Sequence, residues 1–326
     1  MGNKSIKIAL ISTGGGHFEQ LLNLSNFYSL YDHFWITNDN TQTRSALKEE
    51  KCYFIRGGHF KKPWQYLAHF QKFNRIFKIE KPSHIITTGS GGTALVPFIL
   101  AKFLTIKFIY IETFSRVKNY TNLAHFIIKF KHPVYSQWHS DHSKNVFYIG
   151  PIFNNDSRNI VSDNQSNYIF VTLGTRGEQF ERLLQSVEEL IEDGTIREKV
   201  IVQAGFTKFS STVMEIFDFC KVEEIDQYIK NAKYVITQES AGIGSKCLKY
   251  NKRFIVMPRD YAFKELPAKS DMNEDLQYRL EEFGYTKVVK NVKELRSAIE
   301  QIDQIKTGFN FDNSLAVKTL KDVIEN

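Results

Sequence analysis

Apolar and polar positions alternate with two different periodicities along this chain, and each periodicity predicts one type of secondary structure. Short runs of β-branched and aromatic residues predict strands, whereas apolar residues at every third or fourth position predict helices. The predicted strands are Ile6–Ser12, His33–Thr37, His84–Thr87, Lys107–Ile111, Val146–Ile149, Tyr168–Leu173, Val200–Gln203, Tyr234–Thr237 and Phe254–Met257. The clearest predicted helices are Phe180–Glu192, Glu223–Asn231, Asn273–Phe283 and Val292–Ile302. This alternation predicts parallel sheets built from βαβ units.

The charge balance changes near the middle of the chain. Residues 1–150 hold 19 Lys and Arg against 8 Asp and Glu, a balance of +11, whereas residues 151–326 have a balance of −4. All nine histidines lie in the first part. The polar run from Asn154 to Asn167 follows this boundary and is typical of a linker. We therefore predict two doubly wound α/β domains, residues 1–150 and 151–326, that face a cleft.

Four glycine loops follow predicted strands and precede helical patterns. They are Ser12-Thr13-Gly14-Gly15-Gly16-His17, Thr88-Gly89-Ser90-Gly91-Gly92-Thr93, Thr172-Leu173-Gly174-Thr175-Arg176-Gly177 and Ser240-Ala241-Gly242-Ile243-Gly244-Ser245. Glycines let backbone N–H groups approach an anion, and a following helix adds partial positive charge. None of these loops has the spacing of a P-loop or of the dinucleotide fingerprint. A plain strand-to-helix turn remains the alternative for each loop taken alone.

The glycine loops of the first half lie in segments that resemble a known protein. Ile11–His17, Thr87–Gly91 and Ile109–Thr113 resemble the membrane-recruiting subunit of the eukaryotic enzyme that adds the second N-acetylglucosamine to dolichol diphosphate. Val171–Thr175, Gln203–Gly205 and Ser240–Ser245 resemble its donor-binding subunit, so the two subunits look fused in this chain. The resemblance extends to bacterial exopolysaccharide enzymes, archaeal N-glycosylation enzymes and the lipid II synthase, that is, to glycosyltransferase family 28.

The resemblance implies a fold, an activity and a set of site residues. The implied fold is GT-B, and the implied reaction is inverting transfer from a UDP-sugar to a lipid-diphosphate-linked sugar, without a metal or other cofactor. N-acetylglucosamine in β-1,4 linkage is the first expectation for the sugar, and galactose or glucuronic acid is the alternative. The implied donor-binding residues are Gly174, Thr175, Arg176, Gln203, Gly205, Ser240, Ala241, Gly242, Ile243, Gly244, Ser245, Asn273, Glu274 and Asp275. The implied acceptor-binding residues are Gly14, Gly15, Gly16, Gly89, Ser90, Gly91 and Gly92.

Two positions depart from the pattern of the family. Ser240 stands where the family usually has His, and Lys246 stands where it has a Glu that holds the ribose hydroxyls. A Lys side chain donates hydrogen bonds and cannot accept them. Either Glu239 or another carboxylate therefore takes over the ribose, or Lys246 turns to the diphosphate.

Two residues are candidates for the base that takes the proton of the acceptor hydroxyl. His17 follows the first glycine turn, and an imidazole titrates near neutral pH. Glu112 ends the strand Lys107–Ile111 and is either the base itself or the group that orients His17. The alternatives are that His17 caps a helix and that Glu112 is structural.

The sequence predicts no bound metal. It contains no Asp-x-Asp pair, which is the usual clamp for a nucleotide-bound cation, and its three cysteines are too widely spaced for a zinc site. His139 and His142 have no further ligand cluster nearby. We expect backbone amides and a helix N-terminus to stabilise the leaving diphosphate instead.

Residues 56–79 combine aromatic and basic side chains. We expect membrane contact through one helical face, made by Lys61, Lys62, Trp64, Phe70, Phe73 and Phe77. Asn119–Lys131 is a second apolar and basic segment. The alternative is a core helix with one solvated face. No transmembrane segment is predicted, so we expect a peripheral protein on the cytoplasmic face of the membrane.

Three other functions compete with sugar transfer. A UDP-sugar epimerase of the same fold would need carboxylates and a histidine in the nucleotide-binding half, which has no histidine. A non-catalytic nucleotide-sugar-binding scaffold would fit the departures at Ser240 and Lys246. Nucleic-acid binding by the basic half lacks a recognised motif, and no nucleic-acid partner is expected.

Overall fold

The computed structural model describes residues 6–55, 63–89, 91–139, 144–153, 167–269 and 275–325, and it consists of two compact units. The first unit joins Met1–Asn154 with Phe311–Asn326, and the second is Asn155–Asn310. The predicted division at residue 150 had assigned the end of the chain to the second domain. The structure corrects this assignment: Ala316, Leu320 and Ile324 are buried in the core of the first unit.

The first unit contains a seven-stranded parallel sheet in the order β3-β2-β1-β4-β5-β6-β7. Its strands are β1 Lys7–Ile11, β2 Asp32–Asn38, β3 Cys52–Ile55, β4 His84–Thr87, β5 Lys107–Ile111, β6 Val134–Ser136 and β7 Val146–Tyr148. Its helices are α1 Gly16–Leu22, α2 Ser25–Tyr28, α3 Thr41–Ala46, α4 Pro63–Glu80, α5 Gly92–Leu104, α6 Asn122–Lys129 and α12 Ser314–Glu325. The central strands are buried along almost their whole length, because helices cover both faces.

The second unit contains a six-stranded parallel sheet in the order β10-β9-β8-β11-β12-β13. Its strands are β8 Tyr168–Thr172, β9 Lys199–Gln203, β10 Glu215–Phe217, β11 Val235–Thr237, β12 Phe254–Val256 and β13 Lys287–Val288. Its helices are α7 Glu181–Glu192, α8 Val222–Asn231, α9 Ala241–Lys249, α10 Asp275–Glu282 and α11 Val292–Glu300. The α/β doubly wound class predicted from the sequence is thus confirmed in both units.

Each sheet has one switch point, where the order of the strands reverses direction. In the first unit the switch point lies between β1 and β4, and in the second it lies between β8 and β11. Ligands of open α/β sheets bind beyond the carboxyl ends of the strands at such a point. The four glycine loops begin at these strand ends, so the topology brings them together in two pairs.

The aromatic face of α4 does not have the role that the sequence suggested. Phe73 and Phe77 are buried in the hydrophobic core, and Phe70 packs against that core half-buried. The rings of Phe73 and Phe77 therefore hold the helix on the sheet, and the prediction that these two residues touch a membrane is wrong. Lys61 and Lys62 lie outside the described residues, as does the side chain of Trp64. No described helix is long and apolar enough to cross a membrane.

Candidate functional site

The two glycine loops of the first unit lie side by side at its switch point. Ile11 of β1 is paired with Thr87 of β4, so the loops that follow both strands start at the same level. The Thr88 hydroxyl donates a hydrogen bond of 2.7 Å to the His17 carbonyl. A Cβ atom on Gly89 would lie 3.7 Å from Cα of Ser12. The sequence-predicted acceptor loops are thus joined into one surface, apart from Ser90, which lies outside the described residues.

Gly14 and Gly15 of the first loop differ in what a side chain would meet at each position. Gly15 has a φ of +73° and is the N-cap of α1, with open space around its missing side chain. A Cβ atom on Gly14 would lie 2.6 Å from the Asn40 amide nitrogen. Gly15 is therefore required by its backbone conformation, whereas a side chain at position 14 would require the Asn40 side chain to move. Gly91 likewise has a φ of +54° and is the N-cap of α5, which starts at Gly92.

Several buried polar atoms at this switch point have no hydrogen-bond partner among the described residues. They are the Ser12 hydroxyl, Nδ1 of His17, the Thr37 hydroxyl and Oδ1 of Asn38. Buried polar atoms in native proteins are nearly always paired, and an unpaired group costs about 1–3 kcal/mol. Such atoms gathered at strand ends are typical of a polar ligand site.

Burial favours the neutral imidazole at His17. It lowers the pKa of His17 below the ordinary 6.5, and a hydrogen bond with the backbone of Thr88 partly opposes this shift. A neutral imidazole can accept a proton at neutral pH. The predicted base is therefore in the correct protonation state at the predicted strand end.

Glu112 is buried and uses its carboxylate to hold the loop that follows β5. Its Oε1 accepts a hydrogen bond of 2.8 Å from the backbone N–H of Thr113. Its Oε2 accepts hydrogen bonds of 2.9 Å from both the N–H and the hydroxyl of Thr121. Burial raises the pKa of Glu112, and these bonds lower it. The contacts favour the structural alternative for Glu112, and no hydrogen bond to His17 is found within the described residues.

The switch point of the second unit is held by a tightly packed pair of turns. Gly174 has a φ of +68°, and a Cβ atom there would lie 2.2 Å from Nε2 of Gln238. Gly205 has a φ of +62°, and its Cβ would lie 2.4 Å from the Gly174 carbonyl oxygen. Gln203 donates hydrogen bonds to the carbonyls of Gly174 (3.1 Å) and Asp218 (3.0 Å). Gln203 therefore shapes the Gly174 turn from within the protein.

The predicted Ser240–Ser245 loop forms the first turn of α9. Ser240 is the N-cap, and its hydroxyl accepts a hydrogen bond of 3.3 Å from the backbone N–H of Ile243. Ala241 and Gly242 open the helix, and Gly244 packs 3.7 Å from the ring of Phe254, measured from a Cβ built on it. Ser245 is half-buried in the next turn. The N-terminal end of a helix such as α9 attracts anions.

Three charged side chains surround this helix terminus. Glu239 directly precedes the N-cap, and its side chain is only 2% exposed. Its Oε2 accepts a hydrogen bond of 2.8 Å from the backbone of Arg259, whereas its Oε1 has no hydrogen-bond partner. The Arg176 Nε lies 4.0 Å from Oε1. Burial raises the pKa of Glu239, and the two arginines partly oppose this shift. An acceptor oxygen and a half-exposed guanidinium thus lie next to the α9 terminus.

Arg259 is a residue of this site that sequence reasoning missed. It is 1% exposed, lies 4.7 Å over the ring of Phe180, and donates to the carbonyls of Glu178 (2.8 Å) and Leu173 (3.3 Å). It therefore ties the loops after β8 and β12 together. The signal available in the sequence was an arginine two residues after the strand Phe254–Met257, at the same sheet edge as the glycine loops.

Lys246 points away from the α9 terminus. Its ammonium group forms an ion pair with Asp226 of α8, and the hydroxyl of Tyr250 donates to the same carboxylate at 3.1 Å. This contact favours Glu239 over Lys246 as the side chain that faces a ligand. Asn273 and Glu274 lie outside the described residues, and Asp275 begins α10. No group of three metal-ligating side chains occurs within the described residues.

Comparison with known proteins agrees with this architecture. The sequence matches no protein-family model and no curated protein. MurG from Acinetobacter baumannii is 13% identical with a TM-score of 0.58, over 98% of this chain and 99% of that chain. The UDP-GlcNAc 2-epimerase from Methanocaldococcus jannaschii is 14% identical with a TM-score of 0.67, over 98% and 100%. MnaA from S. aureus, in a structure with UDP, is 14% identical with a TM-score of 0.68, over 98% and 96%. Identities this low carry the fold alone, and the fold of this chain is GT-B.

Proposed function

We propose that this protein is an inverting glycosyltransferase that moves a sugar from a UDP-sugar to a lipid-diphosphate-linked sugar. The observation that carries the proposal is the second switch point, where Arg176, the α9 terminus and an Oε1 atom of Glu239 that accepts no hydrogen bond lie together. The similar fold of MurG, and of MnaA, whose structure holds UDP, supports a nucleotide-sugar as the ligand.

Each part of the second switch point suits one part of a UDP-sugar. Arg176 and the amides at the start of α9 would neutralise the diphosphate, as an arginine and a helix terminus do for other phosphates. The Oε1 atom of Glu239 would accept hydrogen bonds from the ribose hydroxyls, the role that Lys246 cannot fill. These groups would stabilise the leaving UDP without a metal ion.

His17 would serve as the base of the reaction. The acceptor hydroxyl attacks C1 of the donor sugar, the bond between C1 and the diphosphate oxygen breaks, and UDP leaves. His17 takes the proton of the hydroxyl, for which a neutral imidazole is suited. Attack from the face opposite the leaving group inverts the anomeric centre. The acceptor diphosphate would lie over the open glycines Gly15 and Gly16.

We propose N-acetylglucosamine as the donor sugar, transferred in β-1,4 linkage at the cytoplasmic face of a membrane. Galactose and glucuronic acid are the alternatives. The test incubates the protein with a panel of UDP-sugars and a synthetic polyprenyl-diphosphate N-acetylglucosamine, and reads the lipid product by mass. The expected result is a product heavier by one N-acetylhexosamine, with UDP released in equal amount. The absence of a product with every donor would contradict the proposal.

A UDP-sugar epimerase is the second candidate, because several similar structures are described as UDP-GlcNAc 2-epimerases. The same incubation without acceptor separates the two functions. An epimerase would convert UDP-N-acetylglucosamine into its C2 epimer, whereas the transferase would leave it unchanged. A non-catalytic scaffold would bind UDP and give neither product.

A further inference from the structure

Helix α1 carries His17 and depends on the rest of the first unit for its position. It has seven residues, and its N-cap, Gly15, has no side chain that could cap it. A helix this short is not stable by itself and needs tertiary contacts. Phe18 and Leu21 bury one side of α1 in the hydrophobic core. Because apolar packing is not directional, the orientation of α1 also depends on hydrogen bonds.

Gln20 of α1 is buried and makes four such hydrogen bonds with its side-chain amide. Its Nε2 donates to the Gly16 carbonyl (3.2 Å) and to the Thr113 hydroxyl (3.1 Å). Its Oε1 accepts from the backbone N–H of Phe114 and from Nε2 of Gln137, both at 2.8 Å. A glutamine amide has two donor and two acceptor positions, and here all of them are used. Gln20 therefore has no free position for a substrate and holds other parts of the protein instead.

Gln137, which follows β6 and is also buried, extends this set of hydrogen bonds. Its Nε2 donates to the Glu112 carbonyl at 2.9 Å, and its Oε1 accepts from the backbone N–H of Ile152 at 3.1 Å. Gln20 and Gln137 together form what we call the glutamine bridge, which joins the first turn of α1 to the loops after β5 and β6. A buried polar network whose members are all paired makes the surrounding structure rigid.

The glutamine bridge holds the turn of the helix that presents His17. Gly16, whose carbonyl accepts from Gln20, directly precedes His17, and the Thr88 hydroxyl donates to the His17 carbonyl. The first turn of α1 is thus tied to the loops after β4 and β5. We propose that Gln20 is a positioning residue of the sugar-transfer reaction, which keeps the imidazole of His17 in place through this turn. The inference rests on the proposed function, in which His17 is the base.

The kinetic test uses Gln20→Met, which keeps the length of the side chain and removes its four hydrogen bonds. The kcat of sugar transfer should fall about 10- to 100-fold, because a small displacement of a catalytic group slows the reaction by up to about 100-fold. The KM for the UDP-sugar should stay within about twofold of the wild-type value. The matched control is Gln71→Met, the same change at an exposed glutamine of α4, which should keep the wild-type kcat.

A second measurement follows the imidazole without any turnover. An NMR titration of the folded proteins reports the pKa of His17, whose signal is assigned by its loss in His17→Gln. Burial lowers this pKa in the wild type, so a loosened first turn should raise it toward 6.5 in Gln20→Met. Thr113→Val, which removes only the hydroxyl that Gln20 contacts and keeps the shape of the side chain, should cause a smaller shift in the same direction.

A purely structural role for Gln20 gives a different result. Gln20→Met would then unfold more easily while its kcat and the titration of His17 stay at the wild-type values, and this outcome would overturn the proposal. If Gln20→Met does not fold, the titration of His17 in Thr113→Val decides in its place. The proposed function fails separately. A wild-type protein without turnover refutes the transferase, and the titration still shows whether Gln20 holds His17.

Discussion

The two switch points have the same topology and different chemistry. At the first, the unpartnered polar atoms belong to neutral groups of Ser12, His17 and Asn38. At the second, Arg176 and Glu239 place charges beside a helix terminus. A neutral imidazole suits proton transfer, whereas an arginine beside a helix terminus suits a diphosphate. In the proposed reaction, the same sheet architecture would hold the base in one unit and the nucleotide in the other, according to the side chains at its strand ends.

The largest expected effect comes from removing the imidazole of His17 at the first switch point. His17→Ala should lower the rate of sugar transfer by about 100- to 10,000-fold, because the proposed base is removed. The affinity for UDP should stay unchanged, since the proposed nucleotide contacts belong to the second unit. Single-turnover kinetics and a UDP titration check the two statements.

The matched control for the imidazole is His125→Ala, which changes an exposed histidine of the same unit. It should transfer sugar at the wild-type rate. A His17→Ala protein that retains near-normal turnover would assign the base to another residue.

A second test compares the glycines of the two switch points. Gly205→Ala should cost about 3 kcal/mol or more of unfolding free energy, because the new Cβ meets the Gly174 carbonyl and φ is positive. Gly15→Ala should lower the free energy of unfolding by about 1–2 kcal/mol. A side chain has open space there, and the positive φ is its only cost. Chemical denaturation measures both changes.

Gly16→Ala supplies the control for the glycine series. Gly16 has open space and begins α1 without a positive φ, so the change should stay within about 0.5 kcal/mol. Equal costs at all three positions would mean that the turns do not have the packing described above.

A third test removes a positive charge from the second switch point. Arg176→Gln should weaken the binding of UDP about tenfold and reduce its dependence on salt, because one charge-assisted contact to phosphate is lost. Arg197→Gln, at an exposed arginine of the same unit, should leave both properties unchanged. Titration calorimetry at two salt concentrations distinguishes the variants; identical UDP affinities would remove Arg176 from the site.

The smallest expected effect is a dependence on pH. Because burial lowers the pKa of His17 below 6.5, the acid limb of the kcat/KM profile should lie below pH 6.5. As the pH falls, His17 is therefore protonated at a higher pH in the unfolded chain than in the folded protein. The stability due to neutral His17 is therefore complete above pH 6.5 and is lost progressively below it.

Urea unfolding of the wild type and of His17→Gln, at neutral and at mildly acidic pH, measures this loss. The wild type should lose stability more steeply as the pH falls. His84, whose pKa burial and the charge of Lys107 lower to about 4, contributes a slope of the same sign to both proteins. Parallel stability curves would contradict a buried neutral imidazole at position 17.

The sequence predicted the fold class because long apolar strands such as Tyr168–Thr172 alternate with strongly periodic helices such as Glu181–Glu192. It did not reveal β3, β6, β10 and β13, which have only two to four residues each and therefore give little periodicity to detect. Nor could it show that the last helix packs on the first unit, because a local sequence pattern does not indicate which distant apolar faces pack together.

The candidate site was predictable where it depended on glycines and not where it depended on packing. The glycine loops lie at strand ends as expected, since a chain must turn there. The helical period of α4 was correct, but the same period fits a core helix and a membrane helix, and Phe73 and Phe77 belong to the core. The roles of Glu239 and Arg259 depend on contacts between separate loops, which no local pattern encodes.

The central claim is that the nucleotide binds at the second switch point and not at the first. Photo-crosslinking with an azido analogue of UDP-N-acetylglucosamine, followed by peptide mass spectrometry, tests it most directly. We expect labelled peptides from the loops after β8 and β11, around Arg176 and Glu239, with competition by UDP. Labelling confined to the loops after β1 and β4 would contradict the account.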